Sequence, residues 1–240
     1  MSPEPKRTIV AIKEVLDEID QKPFIQTLTA AVSEVSPDAN LVRIRSVLTL
    51  AVRCACLLDL YAETDNPIYL TESEKQRTDF YQQIPEAFHA QLERTEREVK
   101  GFFDDEQTLM QRIKSGDKFS EDDIKNYLLG KSGDNLFYGR VLELLVPEWN
   151  LTRELQIQTM LFDIGKDLVD YQEDAARGLP NILGMCLSSG TDKSRIIQLA
   201  RELKDDALTS QNIGASPTLI RTIEGNYFLI EERLKMTGRL

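Results

Sequence analysis

The chain has 240 residues, 41% hydrophobic and 29% charged, with a formal net charge of −11. That length suits one large domain or two small ones, and the apolar share is enough for a packed core. The acidic balance excludes binding of nucleic acid or an anionic membrane through the bulk surface, but not an anionic substrate bridged by a metal.

The opening residues, MSPEPKRTIV, carry no signal-peptide apolar stretch. Residues 1–7 are expected to be flexible. Helical periodicity predicts amphipathic helices over 8–21 and 23–35, separated at Lys22-Pro23. Ser36-Pro37 has the form of an N-cap with proline in the first turn, and a long helix follows over about 38–63, ending before Asn66-Pro67. Residues 66–74 read as a loop. Helices are expected at about 75–82 and 85–113, the second carrying the only histidine, His89, on a charged face. A single surface histidine excludes His-based triads and His-rich metal sites. Ser115-Gly116-Asp117 breaks the chain, and Ser120 to Asp123 forms a capping-type start for a helix that runs to about 146, with a kink near Gly130 and Gly133. Gly130-Lys131-Ser132 mimics the end of a phosphate-binding loop, but Lys125 stands where its first glycine is needed and no strand precedes it. Pro147 stops this helix, and Asn150-Leu151-Thr152 opens an acidic one that ends near Gly178-Leu179-Pro180. Two more occupy about 180–210 and 216–236. No segment alternates as a strand does, and no uncharged run is long enough to span a membrane. Cys54, Cys56 and Cys186 form no CxxC pair and read as buried thiols of a reducing compartment, so a cytoplasmic protein is expected. The whole of 1–240 is read as one all-α domain, a helical bundle of roughly eight to ten helices.

The acidic helix carries Asp163, Asp167, Asp170 and Asp174 at spacings of four, three and four. At ~100° per residue these lie within an arc of about 60° on one face. Like charges at i,i+4 repel, so a purely acidic row implies a neutralising cation, unless the helix simply presents an acid-rich face to water. A second cluster, Asp59 and Glu63 with Asp65 beyond, sits at the carboxyl end of the long helix. There the helix dipole disfavours negative charge. The same face carries Arg45, Leu48, Val52 and Cys56, an otherwise apolar stripe. Oxygen-only clusters favour a hard cation, Mg²⁺ or Mn²⁺, and Mg²⁺ commonly binds through one or two carboxylates plus substrate phosphates.

The stretch Asp170-Tyr-Gln-Glu173-Asp174-Ala-Ala-Arg177-Gly178 resembles the second aspartate-rich motif of the squalene and phytoene synthases, and is similar to the acidic motif of bacterial large terpene synthases. Asp59-Leu-Tyr-Ala-Glu63 stands where the first motif belongs, with glutamate in place of its second aspartate. The resemblance implies the class I isoprenoid-synthase fold, an all-α bundle around a central apolar cavity with Mg²⁺ and diphosphate held between two acidic helices. It implies metal ligation by Asp59, Glu63, Asp167, Asp170 and Asp174. Asp59, Asp170, Asp174 and Arg177 would be catalytic. Diphosphate binding would fall among Arg45, Lys131, Tyr138, Arg140, Tyr227 and Arg233, with Lys235 nearby. Phe137, Tyr138 and Phe162 could stabilise a carbocation through their π faces.

The aromatic-proline stretch that follows the motif in head-to-head synthases is replaced by Leu179-Pro180-Asn181, and the chain is short for an enzyme holding two prenyl diphosphates. The expected activity is therefore ionisation of one prenyl diphosphate and cyclisation or rearrangement of the cation, by a monomer or homodimer. Head-to-head coupling is the alternative within the superfamily. A non-catalytic helical protein that binds a prenyl ligand or a partner is the alternative outside it.

Overall fold

Helical periodicity that runs almost unbroken along the sequence is realised, among the described residues of the computed structural model, as eleven α-helices. The structure describes residues 12–237 without 178, 180, 189, 191 and 192. They are α1 (Ile12–Asp20), α2 (Pro23–Val35), α3 (Leu41–Thr64), α4 (Pro67–Gln83), α5 (His89–Ser115), α6 (Glu121–Lys131), α7 (Gly133–Leu145), α8 (Thr152–Arg177), α9 (Ile182–Ser188), α10 (Lys193–Leu208) and α11 (Pro217–Thr237). Among the described residues there is no strand, and no helix is long and apolar enough to cross a membrane. The expected flexible segment 1–7 lies outside the described residues.

Four boundaries differ from expectation. Ser36 does not cap the long helix: residues 37–38 form a turn, and Asn40 caps α3, its Oδ1 accepting from Arg43 N at 3.1 Å. Residues 66–74 are not a loop: Asn66 caps α4, its side chain accepting from Ile68 N at 3.2 Å, and Pro67 takes the first helical position. Asn-Pro here starts a helix, because proline has no amide to leave unpaired in a first turn. The kink expected near Gly130 and Gly133 is a full break. Ser132 is fully buried, caps the end of α6 and precedes α7. The single helix expected over 180–210 is divided into α9 and α10, with Gly190 at φ +76° turning the chain between them. The capping box at Ser120 and Asp123 forms as read from the sequence.

The chain makes two compact units, Met1–Thr29 with Asn40–Ala87, and Ala30–Ala39 with Phe88–Leu240. In the first, α3 packs on α1 and α4. Val47, Leu48, Ala51 and Leu57 bury its apolar side, with Phe80 from α4. The fork of Arg53 takes both oxygens of Asp20, at 2.7 and 2.5 Å.

In the second unit α8 is the hub, touching α6, α7, α9, α10 and α11. Leu155, Ile157, Leu161 and Ile164 are buried on it, as are Val141 and Leu142 of α7, Ile196 of α10 and Ile230 of α11. Glu34 accepts from the Ser216 hydroxyl at 2.8 Å, from Thr218 N at 3.0 Å and from the Thr218 hydroxyl at 2.7 Å, so it anchors the start of α11.

α7 packs tightly on the start of α8 at Gly139, where an added Cβ would fall 2.5 Å from Thr152 Cγ2 and 2.9 Å from Thr152 Cβ. Thr152 is fixed in turn by its hydrogen bond to Glu143 at 2.7 Å. Gly139→Ala should therefore destabilise the fold by about 1–3 kcal/mol even though alanine favours helix. Chemical denaturation of the two proteins side by side checks this, and an unchanged midpoint would mean that the helices can separate at no cost.

Candidate functional site

The acid row of α8 passes from the interior of the second unit to its surface. Asp163 is 9% exposed and Asp167 1%, while Asp170 and Asp174 are half-buried. Its inner half is therefore not a solvated face. Asp167 is held on every side: Lys131 Nζ donates to Oδ1 at 2.6 Å, and the Tyr127 hydroxyl and Ile182 N donate to Oδ2 at 2.9 and 2.8 Å. The neutralising cation demanded by a pure acid row thus comes, for Asp167, from the chain itself. Lys131 and Tyr127 lie one turn apart on α6, with the ammonium 5.1 Å from the ring centre. Both also line a small cavity of about 170 Å³ between α5 and α6, with Arg112, Asp123 and Asn126.

Asn181 ties the row to the next element. Its Nδ2 donates to the Asp167 carbonyl and to Asp174 Oδ2, both at 2.8 Å, while its Oδ1 accepts from Leu183 N at 3.0 Å. One buried amide thus fixes the outer carboxylate of the row and caps α9. Asp163 is the opposite case: its Oδ2 is buried without a hydrogen-bond partner. Burial pushes its carboxyl up to about 7; the Lys131 ammonium pulls it down and the Asp167 carboxylate adds to the rise.

The other sequence candidates are dispersed. Arg177, exposed, pairs with Glu173 at 3.3 Å. Arg140 pairs with Glu143 at 2.7 Å on the outside of α7. Tyr138 is buried at 4% exposure, edge-on to Phe137. Phe162 points outward, 54% exposed. The Tyr227 hydroxyl donates to Glu231 at 2.7 Å, and Lys204 of α10 sits 4.6 Å from its ring centre. Arg233 donates to the Gly165 carbonyl on α8, where a side chain at position 165 would crowd the guanidinium. Arg45, Asp59 and Glu63 belong to α3 in the first unit; Arg45 and Asp59 are exposed, and Glu63 is described by its backbone alone. The structure brings Lys131 to the acid row. It adds Tyr127 and Asn181, which sequence reasoning did not assign. For Asn181 a signal existed, an asparagine directly before an apolar helix start. For Tyr127 the only signal is its one-turn spacing from Lys131.

Among the described residues, no group of three histidine, cysteine or acidic side chains is arranged to hold a metal ion. Compared with protein-family models, with curated proteins and with solved structures, the chain matches none.

Two predictions follow from this geometry. Removing the cation in Lys131→Met leaves the buried Asp167 charge with neutral donors only, and should cost about 3–5 kcal/mol of stability at pH 7. Denaturant melts check it; a loss below about 1 kcal/mol, the worth of a surface pair, would mean that the pair is effectively solvated. The second concerns Asp163. Its folded value near 7 lies above the unfolded value of 3.8, so between these pH values the folded protein keeps a proton that the unfolded chain has lost. Stability is then fully present below about 4 and falls as pH rises towards 7. Asp163→Asn should flatten this slope and be the more stable protein at pH 8, by a few kcal/mol. Equal slopes from pH 5 to pH 8 would show that Asp163 titrates normally.

Proposed function

We propose that the chain is a Mg²⁺-dependent class I isoprenoid synthase that ionises one allylic prenyl diphosphate and cyclises or rearranges the resulting cation. The observation that carries this reading is the acid row of α8: two carboxylates buried in an all-helical unit continue outward to two half-buried ones, in the stretch that resembles the second aspartate-rich motif.

The donor chemistry fits a hard cation. The row is oxygen-only, Asp163 Oδ2 is an orphaned buried carboxylate oxygen, and no hydrogen bond engages the Asp170 carboxylate among the described residues. Both oxygens of Asp167 already accept hydrogen bonds. Asp170 and Asp174 are therefore the principal ligands on α8. When bound, Mg²⁺ supplies Lewis-acid stabilisation of the diphosphate leaving group. Asn181 orients the Asp174 carboxylate. Asp167 holds Lys131 at the row, where its ammonium can exchange a carboxylate for a diphosphate oxygen. Arg177, three residues beyond Asp174 on α8, is the second basic candidate.

One observation favours a second reading. The Lys131–Asp167 pair already neutralises part of the row, as in a helical protein that binds a prenyl ligand without turning it over. Incubation with geranyl, farnesyl and geranylgeranyl diphosphates, with and without Mg²⁺, separates the two. Diphosphate release with extractable hydrocarbon is expected only with metal. A folded protein that releases none from any of them is the non-catalytic binder. Asp170→Asn and Asp174→Asn should each lower turnover by at least the ~100-fold that loss of an outer-shell partner can reach, with the fold intact. Near-wild-type turnover in both would move the chemistry away from α8.

A further inference from the structure

The three thiols of the chain sit in different surroundings. Cys186 is 1% exposed, and burial pushes its thiol up to about 11. Cys54 of α3 meets the Ser73 hydroxyl at 3.2 Å. Cys56, two residues further along α3, is half-buried and accepts from Lys22 Nζ at 3.0 Å. An exposed lysine from the turn between α1 and α2 is thus paired with a thiol thirty-four positions away.

The surrounding backbone delivers the two groups to each other. Lys22 N donates to the Ile19 carbonyl at 3.1 Å, which closes the turn after α1. Pro23, the first residue of α2, narrows the backbone choices of the residue before it. Two positions before Lys22, Asp20 accepts both arms of the Arg53 guanidinium at 2.7 and 2.5 Å. Arg53 stands one helical turn before Cys56 on α3. This ion pair clamps the end of α1 to α3 beside the sulfur, within the first unit. A cation donating to sulfur favours the thiolate, the form that reacts with peroxides, and partial exposure admits a small oxidant.

We propose that Lys22 and Cys56 are a modification site, at which a hydroperoxide joins the α1–α2 turn to α3 through a nitrogen–sulfur bond. The Cys56 thiolate attacks one peroxide oxygen, the O–O bond breaks, and sulfur is oxidised to the sulfenic acid while the peroxide is reduced. The departing hydroxide takes a proton from the Lys22 ammonium and leaves as water. The neutral amine then attacks sulfur: the N–S bond forms, the S–O bond breaks, and the hydroxyl group leaves with an amine proton as a second water. The protein loses two hydrogens in all. A small thiol reverses the link by attacking sulfur and releasing the amine, and a second thiol frees Cys56 from the mixed disulfide. None of this depends on the proposed function.

The full-length protein, treated with hydrogen peroxide and then alkylated, provides the test by intact mass and fragmentation. A species lighter by two hydrogens is expected, with fragments that join Lys22 to Cys56, and dithiothreitol should restore the starting mass. Lys22→Met and Cys56→Ser should each lose the link, and Cys54→Ser should keep it. The mapping on the wild-type protein stands even if a variant fails to fold. A wild-type Cys56 that passes to the sulfinic acid, or stays open to alkylation, with no joined fragment overturns the proposal. So does a Cys54–Cys56 disulfide, which loses the same two hydrogens and would persist in Lys22→Met.

Discussion

A carboxylate that is 1% exposed and charged is among the most expensive groups a small helical protein can bury, and Asp167 is tolerable only because three donors converge on it. Those donors come from α6 and from the first residue of α9. Satisfying one side chain therefore fixes three elements against each other: the hub helix, the helix carrying Lys131 and Tyr127, and the turn that follows the acidic stretch. Hydrophobic contact between α6 and α8 would permit sliding or rotation at small cost; a charge with directional partners does not. The register of the second unit is set here.

The acid row divides its labour along its length. Of its inner members Asp167 is engaged by the protein's own groups, while Asp163 keeps one buried oxygen without a partner; the outer Asp170 and Asp174 are half-buried, and Asn181 holds Asp174. Asn181 sits at the border, bonding the backbone of the inner half and the side chain of the outer half. The row thus passes from a carboxylate held by directional partners to ones more open to solvent. Asp163, desolvated and unpaired, is the strained member. Its burial opposes stability at pH values where it must ionise.

The helical character of the chain was readable because helix period, caps and breakers agree over most of its length, as at Ser120 and at Asn150-Leu151-Thr152. Where the reading slipped, local signals were ambiguous in a physical sense. Asn66-Pro67 can end one element or begin another, and only the packing of α4 on α3 decides between them. Ser132 caps the end of one helix and opens the next with no long linker, so periodicity continues across a genuine break. The row of four aspartates was plain from spacing, but its depth was not, since acids at helical spacing look alike whether they face water or a lysine. The pairing of Asp167 with Lys131 spans thirty-six positions between two helices, and no local pattern encodes it. Tyr138 shows the reverse error: an aromatic hydroxyl near a presumed site reads as a ligand-binding group, while its apolar ring takes it into the core.

Glu34 meets Ser216 and Thr218 across a sequence separation of more than 180 residues. Contacts of this span are the slowest to form, because the loop they close must be drawn in before any of their energy is returned. During synthesis, moreover, the partner of Glu34 leaves the ribosome more than 180 residues after Glu34 itself. The second unit consequently cannot complete its assembly as it emerges. Its early helical segment waits until α11 has been made.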